Sequence, residues 1–413
     1  MATSAIDSIL QNAYENGIIP GAVVLAATKD KGVVYSKSLG LRSFEKGSKS
    51  EPLQIDDIMG LYSASKLITG IAALQISERG LVDLDEDVAK ILPELACLKV
   101  LTGMDDHGKP IMEERSAKIT LRQLISHSGG VTYDFLTPLL MRYNESQGLD
   151  PIRAWTTTVE SFSCPLVAQP GTAWKYGTGF EWAGYLVSHL TGMSLEEYTK
   201  QNIAAPLGID DMTYFPRKNE SLRSRMVSVT RRDPNVEDGK GKVILDTHPD
   251  ILGAVQEELG GVGLYTSMNS YMKVLCSLLA DDEKLLKKET TAKMFQPQLT
   301  PAAQRSLQSN FDHIAKGEEV GVPPYVGTFP QVRYDFGLGG MLSMEDIDSG
   351  SLKWRRKGYF FWSGMPNIFW FVDRAAGVCA IFGTQVMPNA DEQIRKVINM
   401  VEKEVYAKFA LQA

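Results

Sequence analysis

Apolar residues recur along this chain with two different periods. After Lys66, the positions Leu67, Ile68, Ile71, Leu74 and Ile76 keep helical spacing until Gly80, a residue suited to the left-handed turn that closes a helix. The same spacing predicts helices over residues 6–16, over 267–279 and 288–295, and through Phe180, Ala183, Val187 and Leu190 to a stop at Gly192. A last helix carries Ile394, Val397, Ile398, Val401 and Val405 on one face. Thr120 with Gln123, and Ser194 with Glu197, have capping-box spacing and open two shorter helices. Short apolar runs predict strands at 22–27 and 33–39, joined by the hairpin turn Asp30-Lys31-Gly32. Further strands are expected at 336–344, 355–362, 368–372 and 378–384, the last two joined by a turn from Asp373 to Gly377. Residues 296–329 contain proline, show neither period and read as an irregular, mobile flap.

Strands therefore sit towards both chain ends and helices in the middle. This pattern predicts an α/β (α+β) fold, with a largely antiparallel sheet built from both termini and flanked by helices. Residues 1–88 and 256–413 would form a discontinuous sheet domain, and 89–255 a mostly helical insertion.

Composition narrows the function classes. The 413 residues are 44% hydrophobic, enough for a large core, and the net charge is −7 without a long basic run, which argues against nucleic acid. The cysteines Cys97, Cys164, Cys276 and Cys379 are widely spaced and form neither a metal pattern nor a disulfide framework, so reduced thiols are expected. There is no basic-then-apolar leader and no apolar run of membrane-spanning length, which predicts a cytoplasmic protein. Gly-x-Ser-x-Gly, His-Glu-x-x-His and P-loop patterns are absent. No metal or organic cofactor is expected.

The candidate chemistry lies where the 67–76 helix begins. Ser63 and Lys66, three apart, share one helical face. A lysine kept neutral there by burial or by the helix field can take the serine proton, and the helix end offers N–H groups to an oxyanion. The bare pattern Ser-x-x-Lys also occurs at Ser43/Lys46, in a charged loop, and at Ser270/Lys273, where Ser270 reads as a first-turn or capping residue. Only the Ser63 copy heads a strongly apolar helix. Far along the chain, Tyr176 lies between Trp174 and the pair Gly177 and Gly179, in a loop suited to close backbone approach. His127, at the end of a short helix, reads as structural.

In order, Ser63-Ala64-Ser65-Lys66, Tyr176-Gly177, Phe336-Gly337-Leu338-Gly339-Gly340 and Trp362-Ser363-Gly364-Met365 resemble the serine β-lactamase/penicillin-binding-protein superfamily, nearly end to end. The chain is most similar to the fungal lovastatin acyltransferase-type transesterases. The resemblance implies Ser63 as acyl-carrying nucleophile, Lys66 as its proton partner and Tyr176 as base toward the incoming hydroxyl, leaving open which takes the first proton. It implies an oxyanion hole from the backbone N–H groups of Ser63 and Met365. Pro366 keeps Met365 extended and suits a sheet edge lining the site. Trp174, Thr178, Trp362, Ser363 and Gly364 become candidate substrate contacts, although Trp174, Trp182 and Trp362 taken singly also suit packing. Two positions depart from the superfamily: Thr178 replaces a frequent Asn, and Trp362 replaces a Lys that anchors a substrate carboxylate. Loss of that cation points away from β-lactams and D-alanyl peptides and toward a neutral, greasy acyl chain or a polyketide-like acceptor.

The expected activity is transfer of an acyl group from a carrier-protein or coenzyme-A-like thioester, through a Ser63 acyl-enzyme, to a hydroxyl of a small hydrophobic secondary metabolite. The donor carrier could be a polyketide synthase domain, with residues Arg355, Arg356 and Lys357 as its landing patch or simply a solvated strand end. The alternative is an esterase or amidase, in which water resolves the same intermediate. A non-catalytic binding role fits poorly with a retained Ser63, Lys66 and Tyr176.

Overall fold

The computed structural model describes residues 4–44, 51–233, 235–236, 242–248, 252–316 and 326–411. The main sheet contains β1 (Gly21–Thr28), β2 (Gly32–Gly40), β3 (Tyr334–Phe336), β4 (Met341–Ser343), β5 (Phe360–Gly364), β6 (Ile368–Asp373) and β7 (Val378–Gly383), in the spatial order β2-β1-β7-β6-β5-β4-β3. Neighbours pair antiparallel throughout, and β1 lies beside β7 with Val24 opposite Phe382. Strands from the two ends of the chain thus lie side by side within one sheet.

Helices α1 (Ala5–Glu15), α2 (Ser65–Glu78), α3 (Gly179–Thr191), α4 (Met268–Ala280), α5 (Pro301–Ala315) and α6 (Glu392–Phe409) surround it. Successive side chains of a strand point to opposite faces. In β6, Trp370 meets Tyr271 of α4 with ring centroids 6.4 Å apart, whereas Phe371 stacks on Tyr406 of α6 at 5.6 Å. Helices therefore cover both faces, and every residue of β6 is buried. This is why the strand reads as an unbroken apolar run rather than an alternating one.

Three expectations need correction. The run at 336–344 is two strands, split by a tight turn in which the Gly337 N–H donates to Gly340 O and Gly339 has φ +114°. The run at 355–362 also divides, at Gly358 with φ +88°, into Leu352–Arg355 and β5. The segment read as an irregular flap contains α5, capped by the Thr300 hydroxyl and begun by Pro301. The Thr-Pro pair was the missed signal; residues 317–325 of that segment lie outside the described residues, as does Lys46.

The basic triplet after Trp354 is not a landing patch. Arg355 is fully buried, bonding Glu402 through Nε at 2.8 Å and Nη2 at 2.6 Å, while Arg356 pairs with Asp346 and Asp348. Tyr359 donates to the same Glu402 at 2.8 Å. Arg355→Met strands the Glu402 carboxylate in the core and should cost about 3–5 kcal/mol, most of it recovered in Arg355→Met/Glu402→Leu. Urea unfolding of the two variants checks this; equal losses in both would contradict it.

All four cysteines are unbonded thiols, with Cys97 exposed. Among the described residues no helix is long and apolar enough to cross a membrane.

Candidate active site

Ser63 sits in a single 3-10 turn, Tyr62–Ala64, that runs straight into α2. The residue before it, Tyr62, has φ +45°, a left-handed conformation that costs a non-glycine residue energy and is held only by its surroundings. Those surroundings are specific. Leu61 N–H donates to Leu264 O at 2.9 Å, Tyr271 of α4 donates to Ala64 O at 2.9 Å, and Gln385 donates to Gly60 O at 3.2 Å. The Ser65 hydroxyl accepts from Leu264 N–H at 3.1 Å, so the second serine of the motif is a structural tie. At the other copy, Ser267 rather than Ser270 caps α4, and Lys273 donates to Gly208 O. Ser270 is buried in the first helical turn, in keeping with a structural role.

Around Ser63 the polar groups form one connected line. Tyr176 Oη donates to Ser63 Oγ at 2.7 Å, and Lys66 Nζ lies 3.4 Å from the same oxygen. Lys66 is almost wholly buried; its ammonium also reaches Gly261 O at 2.9 Å and Tyr133 Oη at 3.3 Å, and lies 4.9 Å from the Tyr176 ring centroid. Tyr133 in turn donates to Glu181 Oε1 at 2.6 Å. Burial pushes the Glu181 carboxyl above its ordinary range, against the pull of nearby Lys66, and pushes the Tyr133 phenol far up.

Tyr176 is brought to Ser63 by close backbone packing. A Cβ on Gly177 would meet Thr132 Cα at 2.2 Å, and one on Gly179 would meet Leu124 O at 2.1 Å, so both positions require glycine. Thr132 Oγ1 donates to Tyr176 O at 2.8 Å. His127 is buried among Trp174, Tyr176, Phe180 and Phe336, and its Nδ1 accepts from Gly177 N–H at 3.3 Å. Burial, and then the Lys66 charge, push its imidazole well below the usual range. It holds the tyrosine loop as a neutral ring.

A cavity of about 420 Å³ opens in front of Ser63 and Tyr176. Its walls are mostly apolar, with Phe135, Leu136, Trp155, Val262, Met387 and Pro388 among them, and it also exposes Trp362, Ser363, Gly364 and Met365. The last two lie where β5 turns into β6. Gly364 pairs with Ile368, and Asn367 at φ +62° completes the turn. Met365 and Pro366 therefore sit at the end of two central strands, not on a sheet edge as Pro366 alone had indicated. A Cβ on Gly364 would meet Leu61 O at 2.2 Å, so this turn touches the Ser63 segment backbone to backbone. Asn367 also donates to Val386 O and Pro388 O at 2.7 and 2.8 Å, fixing the segment that carries Met387 and Pro388.

Trp174 and Thr178 are not substrate contacts. Both are buried and neither lines the cavity: Trp174 stacks behind Tyr176 at 6.2 Å, and Thr178 begins α3. Sequence reading also missed residues that the structure brings in. Tyr133 had no spacing to mark it. Glu181 did leave a trace, a lone acid between Phe180 and Trp182 in an otherwise apolar helix start. Arg231 and His248 reach the cavity from the strand pair Thr230–Arg232 and Val243–Leu245 and the loop that follows.

Comparison with known proteins finds similar chains over nearly the whole length. The family model described as Beta-lactamase matches residues 6–402. Monacolin J acid methylbutanoyltransferase of Aspergillus terreus is 37% identical over 410 residues, covering 98% of this chain and 95% of that protein. Lovastatin esterase of Penicillium rubens is 36% identical over 407 residues, covering 98% of both. A solved structure of simvastatin synthase from Aspergillus terreus, the LovD6 mutant, superposes with a TM-score of 0.87 at 39% identity, over 98% of this chain and 94% of that one.

Proposed function

The chain belongs to the beta-lactamase family and is an enzyme of its acyltransferase and esterase type, and we propose that it is a transesterase working through a Ser63 acyl-enzyme. The observation that carries this reading is the Ser63 hydroxyl, bonded to Tyr176 at 2.7 Å with Lys66 behind it, facing an apolar cavity. Ser63 Oγ gives its proton to the Lys66–Tyr176 pair and attacks the carbonyl carbon of an acyl thioester. Backbone N–H groups of Ser63 and Met365 receive the oxyanion. The thiolate leaves with a proton. An acceptor hydroxyl, deprotonated by Tyr176, then attacks the acyl-serine, giving an ester and restoring Ser63.

The acceptor is a small, largely apolar alcohol that also carries an acid group. The named relative acts on monacolin J acid, and the cavity that carries Trp362 in place of the superfamily lysine is also lined by a cation. Arg231 lines the same cavity and has no direct carboxylate partner among the described residues; its Nη1 lies 2.7 Å from His248 Nε2, and His248 Nδ1 meets Asp246 at 2.7 Å. Arg231→Met should raise KM for an acid acceptor about tenfold and leave its methyl ester unaffected, as steady-state kinetics on the two acceptors will measure. A second cleft of about 790 Å³ meets the first at Asp246, His248, Met365 and Met387 and carries Arg42, Arg217 and Arg223. A thioester arm, free or on a carrier protein, would reach Ser63 by this approach; of its guanidinium groups, Arg42 already pairs with Glu51 and Asp57, and Arg223 with Glu220.

The esterase relative keeps hydrolysis as the second reading, with the same residues and water as acceptor. Product partition separates them. With an acyl thioester and saturating alcohol, ester should dominate over free acid; free acid as the main product at saturating alcohol would replace transfer with hydrolysis.

A further inference from the structure

We propose that Glu181 is the proton store of the site: through the Tyr133 hydroxyl it takes the Lys66 proton, leaving Lys66 a neutral amine beside Ser63 without any proton passing to solvent. The inference rests on the acyl-enzyme reading and goes beyond it, because it concerns how the nucleophile's partner is made basic.

The geometry supplies each link. Lys66 Nζ stands 3.3 Å from Tyr133 Oη, and Tyr133 Oη donates to Glu181 Oε1 at 2.6 Å. When Nζ–H passes its proton to Tyr133 Oη, the phenol passes its own to Glu181 Oε1. One N–H bond breaks and one carboxyl O–H bond forms; the phenol exchanges one proton for another, and the pair changes from ammonium and carboxylate to amine and carboxylic acid. No net charge moves in or out. That matters because both ends are buried, Glu181 completely, and an isolated buried charge is expensive. The carboxylate is also poorly provided for: Oε2 is buried with no hydrogen-bond partner among the described residues. The Tyr133 hydroxyl and the backbone N–H of Glu181 itself, with Lys66 nearby, do not outweigh the desolvation cost, so burial still holds the carboxyl above its ordinary range and brings the uncharged pair closer in energy to the charged one. A purely structural carboxylate would be expected to collect more donors.

Among the described residues, the side chains that face Glu181 are these. Lys66 faces it from α2, Tyr133 from the loop after Gly130, and Tyr176 lies next to Tyr133 with ring centroids 6.0 Å apart. His127 faces Lys66 and is kept neutral by burial. The Gly260–Gly261 loop contributes backbone, and a Cβ on Gly261 would meet Glu181 Oε1 at 2.2 Å. Along that loop Glu257 is occupied with Thr158 N–H, and Glu258 lines a separate cleft with Glu196.

The store predicts a distinctive pH dependence. In the unaltered enzyme the reactive amine–acid pair holds as many protons as the resting ion pair, so acylation needs no net proton loss across neutral pH. In Glu181→Gln, Lys66 must lose its proton to solvent before it can act. The full-length protein and its Glu181→Gln and Tyr133→Phe variants are compared by the burst of p-nitrophenolate from p-nitrophenyl butanoate, read between pH 5.5 and 9.5. The acylation rate of Glu181→Gln should be at least tenfold down at pH 6.5 and recover toward the parent value by pH 9, its acid limb moved up by one pH unit or more. Tyr133→Phe, which cuts the relay and leaves the carboxylate, should move the limb at least as far. Acyl mass on Ser63 in all three proteins keeps the acyl-enzyme reading independent of this outcome. A limb that stays in place or moves to lower pH, or a loss equal at every pH in either variant, would overturn the store. Unchanged near-ultraviolet circular dichroism is required of each variant, and Glu181→Asp, too short to meet Tyr133, provides a second carboxylate-bearing control expected to behave as Tyr133→Phe does.

Discussion

Ser63→Ala will lower acyl transfer by about 10⁴-fold or more while leaving the fold intact. The hydroxyl is where every proposed bond is made: it accepts from Tyr176 at 2.7 Å, stands 3.4 Å from Lys66 and faces the cavity. Among the described residues, it is the cavity-lining hydroxyl that both Tyr176 and Lys66 reach. The nearby Ser363 lines the wall, but it is on Ser63 Oγ that Lys66 Nζ and Tyr176 Oη converge. Ser65, two residues on, spends its oxygen on Leu264 N–H. Because Ser63 is only half-buried and alanine keeps the turn, thermal unfolding should be unchanged within about 0.5 kcal/mol. Initial rates with an acyl thioester and an alcohol, beside a melting curve, measure both halves.

Tyr176→Phe should cost about 10³-fold in transfer and should let acyl-enzyme accumulate. The substitution removes one oxygen and keeps the ring, which packs against His127 at 4.6 Å and Trp362 at 5.4 Å and carries the Lys66 ammonium over its face. Lys66 remains close enough to Ser63 to assist acylation. The acceptor hydroxyl loses its base, so discharge slows more than loading. Stopped reactions followed by intact mass should find most of the variant acylated. Equal slowing of loading and discharge would instead give Tyr176 the first proton.

What the sequence made legible follows from how local each signal is. The Ser63–Lys66 pair is set by helical spacing, and Gly177 and Gly179 announced close backbone approach, so the core of the site could be read residue by residue. The two-ended sheet was legible because β1, β6 and β7 are unbroken apolar runs, as strands covered on both faces must be. Strand division was not: Gly339 breaks a run whose flanks remain hydrophobic, and the turn at Gly358 lies after the charged Arg355-Arg356-Lys357, inside a stretch whose aromatic end alone carries the strand signal. Tyr133 reaches Lys66 across a sequence separation of 67 residues, and Arg231 enters the cavity by strand pairing. Contacts of that kind depend on tertiary packing and leave no periodic mark. Trp174 failed as a substrate contact for the opposite reason: proximity to Tyr176 in sequence placed it behind the catalytic ring instead of in front.

The most direct measurement is peptide mass after loading. The protein is incubated with an acyl thioester without acceptor, quenched in acid and digested. The account predicts the acyl mass on the peptide containing Ser63, absent in Ser63→Ala and discharged to ester when an alcohol is added before quenching. Acyl mass on any other residue, or continued turnover with no covalent adduct on Ser63, would contradict it.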